Sequence, residues 1–267
     1  MLEKLLFICL FTLIIHTIET LSYSVRLAGI RVAKLAVALS LFNIIVIVSR
    51  TANMLQAPLT ASLVDRAKET GDLSLIESQF RVILGSASLG TLLAALLVPT
   101  FIAVFSRAII HLETAGSIPS MLKNTLTIHH LQYARKHIRA PRWSMISRLR
   151  IGGVPKRLFL LNVLATMIYT SSILSCLYAS LLAPQYSSIA LMSSGLVNGF
   201  AAILLTIFVD PQVAILTDRV MRGEERQLNI NKVIGVLIFS RFIGTLLAQL
   251  LFIPAAYYIA WISRFFA

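Results

Sequence analysis

The sequence predicts an all-α membrane protein whose six transmembrane helices form two inverted three-helix repeats. The chain of 267 residues is 57% hydrophobic and only 13% charged, with a mean hydropathy of +0.84. A soluble domain carries about a quarter charged residues, so that class is excluded. Six apolar stretches are each long enough for the roughly 20 residues that cross a bilayer. Two sequence motifs also occur twice at nearly the same offset.

The six spans are predicted from apolar runs that lie between charged stretches. They cover residues 2–22, 35–64, 82–110, 158–183, 187–217 and 233–262. Several are longer than a bilayer requires, which predicts tilted helices or helices that extend beyond it. The first run resembles a signal-peptide core, but polar residues follow it instead of a small-x-small cleavage site, so we expect a retained first helix.

The motif Pro-x-x-Ala-x-Leu-x-Asp-Arg occurs twice, at 58–66 and at 211–219. A second pair, 90–97 and 244–251, is identical at seven of eight positions. Two matches in one register favour internal duplication, and chance similarity between leucine-rich segments is the alternative. Duplication makes these motif positions structurally equivalent in the two copies: Pro58, Asp65 and Arg66 in the first, and Pro211, Asp218 and Arg219 in the second.

The duplication divides a single membrane domain, 1–267, into a first repeat at 1–113, a linker at 114–157 and a second repeat at 158–267. Each repeat contains three helices, and this odd number makes the second repeat enter the membrane from the opposite side. Inverted repeats of this kind are typical of transporters, whose substrate site lies at the repeat interface near the middle of the membrane.

The linker 114–157 sets the orientation, because it contains nine Lys or Arg residues and no acidic residue. The positive-inside rule places it in the cytoplasm, and counting helices outward then places both termini and the acidic 65–81 stretch outside. Its mixture of apolar and basic residues predicts an amphipathic segment that attracts anionic membrane lipids, with a generic topology anchor as the alternative. Membrane contact explains the high isoelectric point without a nucleic-acid partner.

Polar side chains inside the spans are the candidates for a substrate cavity, because a charged group in hydrocarbon usually faces a cavity or a partner. Arg50 lies near the middle of its span, and a guanidinium suits phosphate oxygens, which favours an anion site. A salt bridge from Arg50 to one of the acidic candidates is the alternative. The inferred cavity residues are Arg50, Arg241, Glu19, His16, Asn53, Gln56, Asp210 and Gln249.

Two further patterns concern mechanism. His16 and Glu19 lie one helical turn apart, which predicts either a hydrogen-bonded, proton-sensitive pair or a structural contact. Pro58 and Pro211 lie at equivalent places, and proline frees a backbone carbonyl one turn earlier. Paired helix breaks predict a transport site, with harmless kinks as the alternative. The sequence contains no phosphate-binding loop, metal-ligand cluster or nucleophile motif, so we expect no cofactor, metal or catalytic residue.

Residues 1–4, 15–26 and 49–66 carry a likeness to a known family that runs the length of the chain. On these residues the chain resembles the Amj family, the alternate lipid II flippases of Firmicutes. This likeness rests on overall pattern and carries over no residue roles. The resemblance implies transport of lipid II, an undecaprenyl-diphosphate-linked disaccharide-pentapeptide, from the inner to the outer leaflet of the cell membrane for peptidoglycan biosynthesis.

The expected function is therefore that of a lipid transporter and not of an enzyme. Two alternatives stay open: a membrane-embedded prenyl-diphosphate enzyme and an ion-coupled small-solute exporter. The polar headgroup of lipid II is large for an enclosure of six helices, which favours a homodimer or a groove open to lipid.

Overall fold

The computed structural model describes residues 2–117, 120 and 155–266, and every regular element within them is helical. Six of the helices are long and apolar enough to span a membrane, which confirms the predicted class. They are α1 (Leu2–Arg31), α2 (Leu35–Thr70), α3 (Leu73–Ala115), α4 (Lys156–Leu182), α5 (Pro184–Met221) and α6 (Gln227–Ile262). Most of the predicted amphipathic linker lies outside the described residues.

The helices extend beyond the apolar runs that predicted them. Of the 65–81 stretch, predicted as a loop, only Gly71 and Asp72 are not helical. Gly71 adopts a φ of +70°, a conformation that favours glycine, and ends α2. Asp72 begins α3 by accepting a hydrogen bond from the Leu75 amide, and this bond lowers the pKa of its carboxyl group. Arg26, predicted to lie between two spans, is instead inside α1 and buried.

Consecutive helices alternate in direction, as two buried cores show. One core joins the start of α1, the end of α2, the start of α3 and the ends of α4 and α6, through Ile8, Leu63, Phe80, Leu177 and Phe252. The other joins the end of α1, the start of α4, the later part of α5 and the start of α6. We call these the terminal end and the linker end of the bundle. Both described termini therefore lie at the terminal end.

In each half, a glycine brings the third helix close to the first. Gly90 in α3 lies against the carbonyl oxygen of Leu13 in α1, and Gly244 in α6 lies 2.8 Å from the carbonyl oxygen of Val163 in α4, measured from an ideal Cβ position. A side chain at either position would overlap backbone atoms. Both glycines open the repeated Gly-Thr-Leu-Leu-Ala sequence, so the repeated motif makes the same kind of contact in both halves.

The next residue of that motif joins the two halves. The hydroxyl groups of Thr91 and Thr245 lie 3.3 Å apart where α3 meets α6. Because α1 and α4 run in opposite directions, these matched contacts agree with inverted repeats, and the repeat relationship itself stays a prediction.

The two halves differ at the repeated prolines. α2 continues as an α-helix through Pro58, so the predicted break is wrong there. α5 instead contains a π-helical stretch, Leu204–Val209, directly before Asp210 and Pro211. Wider helical turns of this kind frequently occur at functional sites. The change of helical geometry beside a repeated proline therefore occurs in the second half alone.

Candidate functional site

Two cavities between the described helices contain predicted site residues. The one nearer the linker end, the charged cavity, is lined by Glu19, Ser22, Tyr23, Phe42, Val46, Arg50, Tyr169, Ala202, Leu205, Asp210 and Arg241. The one nearer the terminal end, the uncharged cavity, is lined mainly by α1, α2, α3 and α4, including Thr12, His16, Asn53, Gln56, Thr60, Tyr169 and Thr170. They contain about 600 and 490 Å³ of empty space, part of it open to the surroundings. Tyr169 lines both.

The charged cavity brings together Arg50, Arg241, Glu19 and Asp210, all four of the predicted charged residues. They come from α2, α6, α1 and α5, and no two of them belong to the same helix. Sequence reasoning thus identified the charged groups of one cavity from polar positions in separate spans. It did not predict which of them pair.

Glu19 and Arg241 form a buried ion pair between α1 and α6. Arg241 Nη2 donates to Glu19 Oε2, and both side chains are less than 10% exposed. The hydroxyl of Tyr169 donates to the other carboxylate oxygen at 3.2 Å, and the Asn53 amide donates to that hydroxyl at 3.2 Å. This network links α1, α2, α4 and α6 between the two cavities, so we regard it as a barrier between them.

Arg26 and Asp210 form a second ion pair, with Arg26 Nη2 2.8 Å from Asp210 Oδ1. Arg26 is 4% exposed and Asp210 38% exposed. The guanidinium carbon also lies 4.5 Å from the centre of the Phe42 ring. Its Nε and Nη1 atoms have no hydrogen-bond partner among the described residues. The pair therefore leaves cationic hydrogen-bond donors unused beside residues that line the charged cavity.

Sequence reasoning missed Arg26 as a site residue, because it lies four residues beyond the predicted first span, 2–22. One signal was available. Thr12, His16, Glu19 and Tyr23 recur at helical spacing, and Arg26 continues the same stripe.

Arg50 differs from the other two arginines. Its side chain is exposed at the charged cavity, and it makes no hydrogen bond or ion pair with any residue that the structure describes. The alternative of a salt bridge to Glu19 or Asp210 is wrong, since Arg241 and Arg26 pair with those carboxylates. Arg50 is therefore available to an incoming anion.

The uncharged cavity contains Gln56, Asn53 and His16 of the predicted set. Gln56 Nε2 donates to Thr12 Oγ1 at 2.5 Å and fixes α2 against α1. The predicted His16–Glu19 hydrogen bond is absent from the described structure, and the two side chains line different cavities. Instead, the imidazole makes no hydrogen bond to any described residue.

The remaining predicted residues lie outside both cavities. Gln249 donates to the Arg81 carbonyl oxygen at 2.8 Å, at the contact between α3 and α6. Asp65 lies 4.0 Å from Lys68, and Asp218 lies 3.1 Å from Arg222, both pairs on exposed surface at opposite ends of the bundle. Pro58, Arg66, Pro211 and Arg219 likewise do not line either cavity. The repeated Asp-Arg motif thus lies at the surface.

Comparisons with known proteins support one family. The family model described as "Amj: Alternate to MurJ" matches residues 11–263. The chain is 46% identical over 264 residues to the lipid II flippase Amj of Bacillus subtilis (strain 168), and the alignment covers 98% of each chain. No solved structure matches this protein.

Proposed function

Since the chain belongs to the Amj family, we propose that it is a lipid II flippase that moves this precursor from the inner to the outer leaflet of the cell membrane. Near full-length identity to a protein of that name supports the assignment. Six apolar helices supply the membrane domain that such transport requires. The named activity is that of a transporter and not of a catalyst.

The charged cavity is the proposed site for the diphosphate. The observation that carries this assignment is Arg50, a cation without a partner among the described residues at a cavity inside the membrane domain. Together with Arg26 and Arg241 it sets three guanidinium groups against the two carboxylates of Glu19 and Asp210. One positive charge is left in excess, and guanidinium groups bind phosphate oxygens in a bidentate geometry.

Transport then requires the helices to move, because the disaccharide-pentapeptide headgroup is larger than either cavity. The network of Glu19, Arg241 and Tyr169 lies between the cavities and would have to separate for the headgroup to pass. Movement of the two inverted halves against each other would open the passage to one leaflet and then to the other, while the prenyl tail stays in the bilayer.

The proposed orientation places the linker end in the cytoplasm and both termini outside. The charged cavity then lies toward the leaflet in which the substrate is made. Basic residues of the linker would attract anionic lipids at the same surface. A homodimer, or a groove open to lipid, would accommodate the headgroup during passage.

Reconstitution of the purified protein tests the function. Vesicles are loaded with lipid II that carries a fluorescent headgroup, and a membrane-impermeant quencher reports the fraction that reaches the outer leaflet. We expect this fraction to rise faster than in protein-free vesicles. An unchanged rate would contradict the flippase proposal, and release of phosphate from undecaprenyl diphosphate would favour the enzyme alternative.

Cysteine labelling tests the orientation separately. Ser74 and Ser117 are exposed and lie beside the start and the end of α3, at opposite ends of the bundle. In whole cells, an impermeant maleimide should label Ser74→Cys and leave Ser117→Cys unlabelled until the membrane is permeabilised. The reverse pattern would show that the orientation is the opposite one. Labelling of both positions from outside would contradict a third helix that crosses the membrane.

A further inference from the structure

We propose that the uncharged cavity is a second subsite on the same passage, which binds an uncharged hydrogen-bonding part of the headgroup, a sugar hydroxyl or an amide. This inference rests on the proposed function, in which the charged cavity binds the diphosphate. It divides recognition of one substrate between two chambers of different chemistry, separated by Tyr169.

The first observation is an imidazole that lacks a protein partner. His16 is 6% exposed, lines the uncharged cavity and makes no hydrogen bond to any described residue. Its Nδ1 atom is fully buried, as is the unpartnered hydroxyl oxygen of Thr170, which lines the same cavity. Buried polar atoms are hydrogen-bonded in the large majority of cases. These two side chains at one cavity therefore hold unused hydrogen-bonding capacity, which a polar ligand would use once the cavity widens for passage.

The second observation is the chemistry of the lining. The lining combines amide and hydroxyl groups with apolar side chains, and none of the described residues that line this cavity is Asp, Glu, Lys or Arg. Glu19 and Arg241, whose charges act on His16 from outside this cavity, pair with each other. A diphosphate would enter such a chamber without a counter-charge, which is costly. An uncharged sugar or amide would gain hydrogen bonds there without that penalty.

The third observation is the order of the two chambers. Asn53 and Tyr169 line the uncharged cavity, and Tyr169 also lines the charged one, so the chambers adjoin. The substrate has the same order, because its first sugar is attached directly to the diphosphate. A diphosphate at Arg50 would therefore direct the sugar toward the uncharged cavity once the barrier separates.

Binding of two probes to the purified full chain in nanodiscs tests the subsite. Undecaprenyl diphosphate carries the charges alone, whereas lipid II adds the sugars and the peptide. We expect wild type to bind lipid II more tightly than undecaprenyl diphosphate. His16→Leu should lower the affinity for lipid II about fivefold to tenfold, as for one or two lost hydrogen bonds. His16→Leu should leave the affinity for undecaprenyl diphosphate unchanged, and Arg50→Gln should lower the affinity for both probes.

Two further variants keep the test decisive. His111 is exposed near the end of α3, so His111→Leu is the matched control and should change neither affinity. Thr170→Val removes the other unpartnered polar group, the Thr170 hydroxyl, with little change of shape, and it should also weaken the binding of lipid II alone. If His16→Leu lowers thermal stability so far that binding cannot be measured, Thr170→Val decides.

The outcomes separate the two proposals. Equal binding of the two probes by wild type, or equal weakening of both by Thr170→Val and His16→Leu, would overturn the subsite and leave the flippase proposal standing. If His16→Leu binds both probes normally but shifts the pH dependence of flipping, His16 would be a proton site, and the subsite would also be overturned. Failure of wild type to bind either probe would count against the flippase proposal itself.

Discussion

The two ion pairs formed by buried arginines differ in how much water can reach them. Glu19–Arg241 is enclosed, with both side chains under 10% exposed and Tyr169 bonded to the same carboxylate. In Arg26–Asp210 the guanidinium is just as buried, but the carboxylate is 38% exposed at the charged cavity. Both pairs join α1 to the second half of the chain. The first is placed to act as a barrier, and the second is placed where a substrate anion could compete for the arginine.

This difference matters because a buried ion pair is weak evidence for stability, whereas removal of one partner is strongly destabilising. The remaining charge is then left without compensation in a medium of low dielectric constant. Water that reaches a partly exposed partner reduces that penalty. The cost of a single substitution should therefore fall in order from the enclosed pair, to the open pair, to pairs on the surface.

The largest effect is expected for the enclosed pair. Glu19→Gln should lower the free energy of unfolding by about 3–5 kcal/mol, because it leaves the Arg241 guanidinium buried and unpaired. The measurement is thermal or denaturant unfolding of the purified protein in detergent. The double variant Glu19→Gln/Arg241→Gln should cost less than the sum of the two single variants, since neither charge then remains. Additive costs would show that the two groups do not depend on each other.

A smaller effect is expected for the open pair. Asp210→Asn should lower the free energy of unfolding by about 1–3 kcal/mol, since it removes an acceptor that water and a neutral amide oxygen can partly replace. The same unfolding measurement applies. A cost equal to that of Glu19→Gln would mean that the exposure of Asp210 at the cavity does not matter. Such a result would remove the contrast between the two pairs.

The smallest effect is expected at the surface. Lys34 Nζ lies 2.6 Å from Glu113 Oε1, with both side chains more than 40% exposed. Exposed pairs contribute about 0–1 kcal/mol, so Glu113→Gln should change stability within that range. The contribution should also shrink as salt is raised. A loss as large as that for Asp210→Asn would show that burial does not set the order.

Six helices were predictable from apolar length, because hydrocarbon thickness fixes the number of residues that a span requires. Their ends were not, because helix continues past the apolar run. Arg26 shows the consequence. It was assigned to the polar stretch after the first span, but α1 continues through Arg31 and the neighbouring α5 supplies Asp210 as its partner.

Ion pairing could not be predicted from positions along single helices. Arg50 was a candidate partner for the carboxylates of Glu19 and Asp210, and it pairs with neither. Arg241 and Gln249 lie on one helical stripe, but only Arg241 lines a cavity, whereas Gln249 bonds to the backbone of α3. Helix periodicity predicts on which face of its helix a residue lies. Which other helix packs on that face is decided by the tertiary arrangement.

The contrast between the paired arginines and Arg50 leads to the most direct test, the flipping rate of lipid II in vesicles with Arg50→Gln. We expect Arg50→Gln to lower the rate at least about tenfold, equivalent to about 1.4 kcal/mol of lost anion stabilisation, with thermal stability unchanged because Arg50 has no described partner to lose. Arg50→Lys should retain an intermediate rate, because it keeps the charge and loses the planar fork. Arg264→Gln, at an exposed arginine beyond α6, is the matched control and should flip at the wild-type rate. A wild-type rate in Arg50→Gln would contradict the assignment of the charged cavity to the diphosphate.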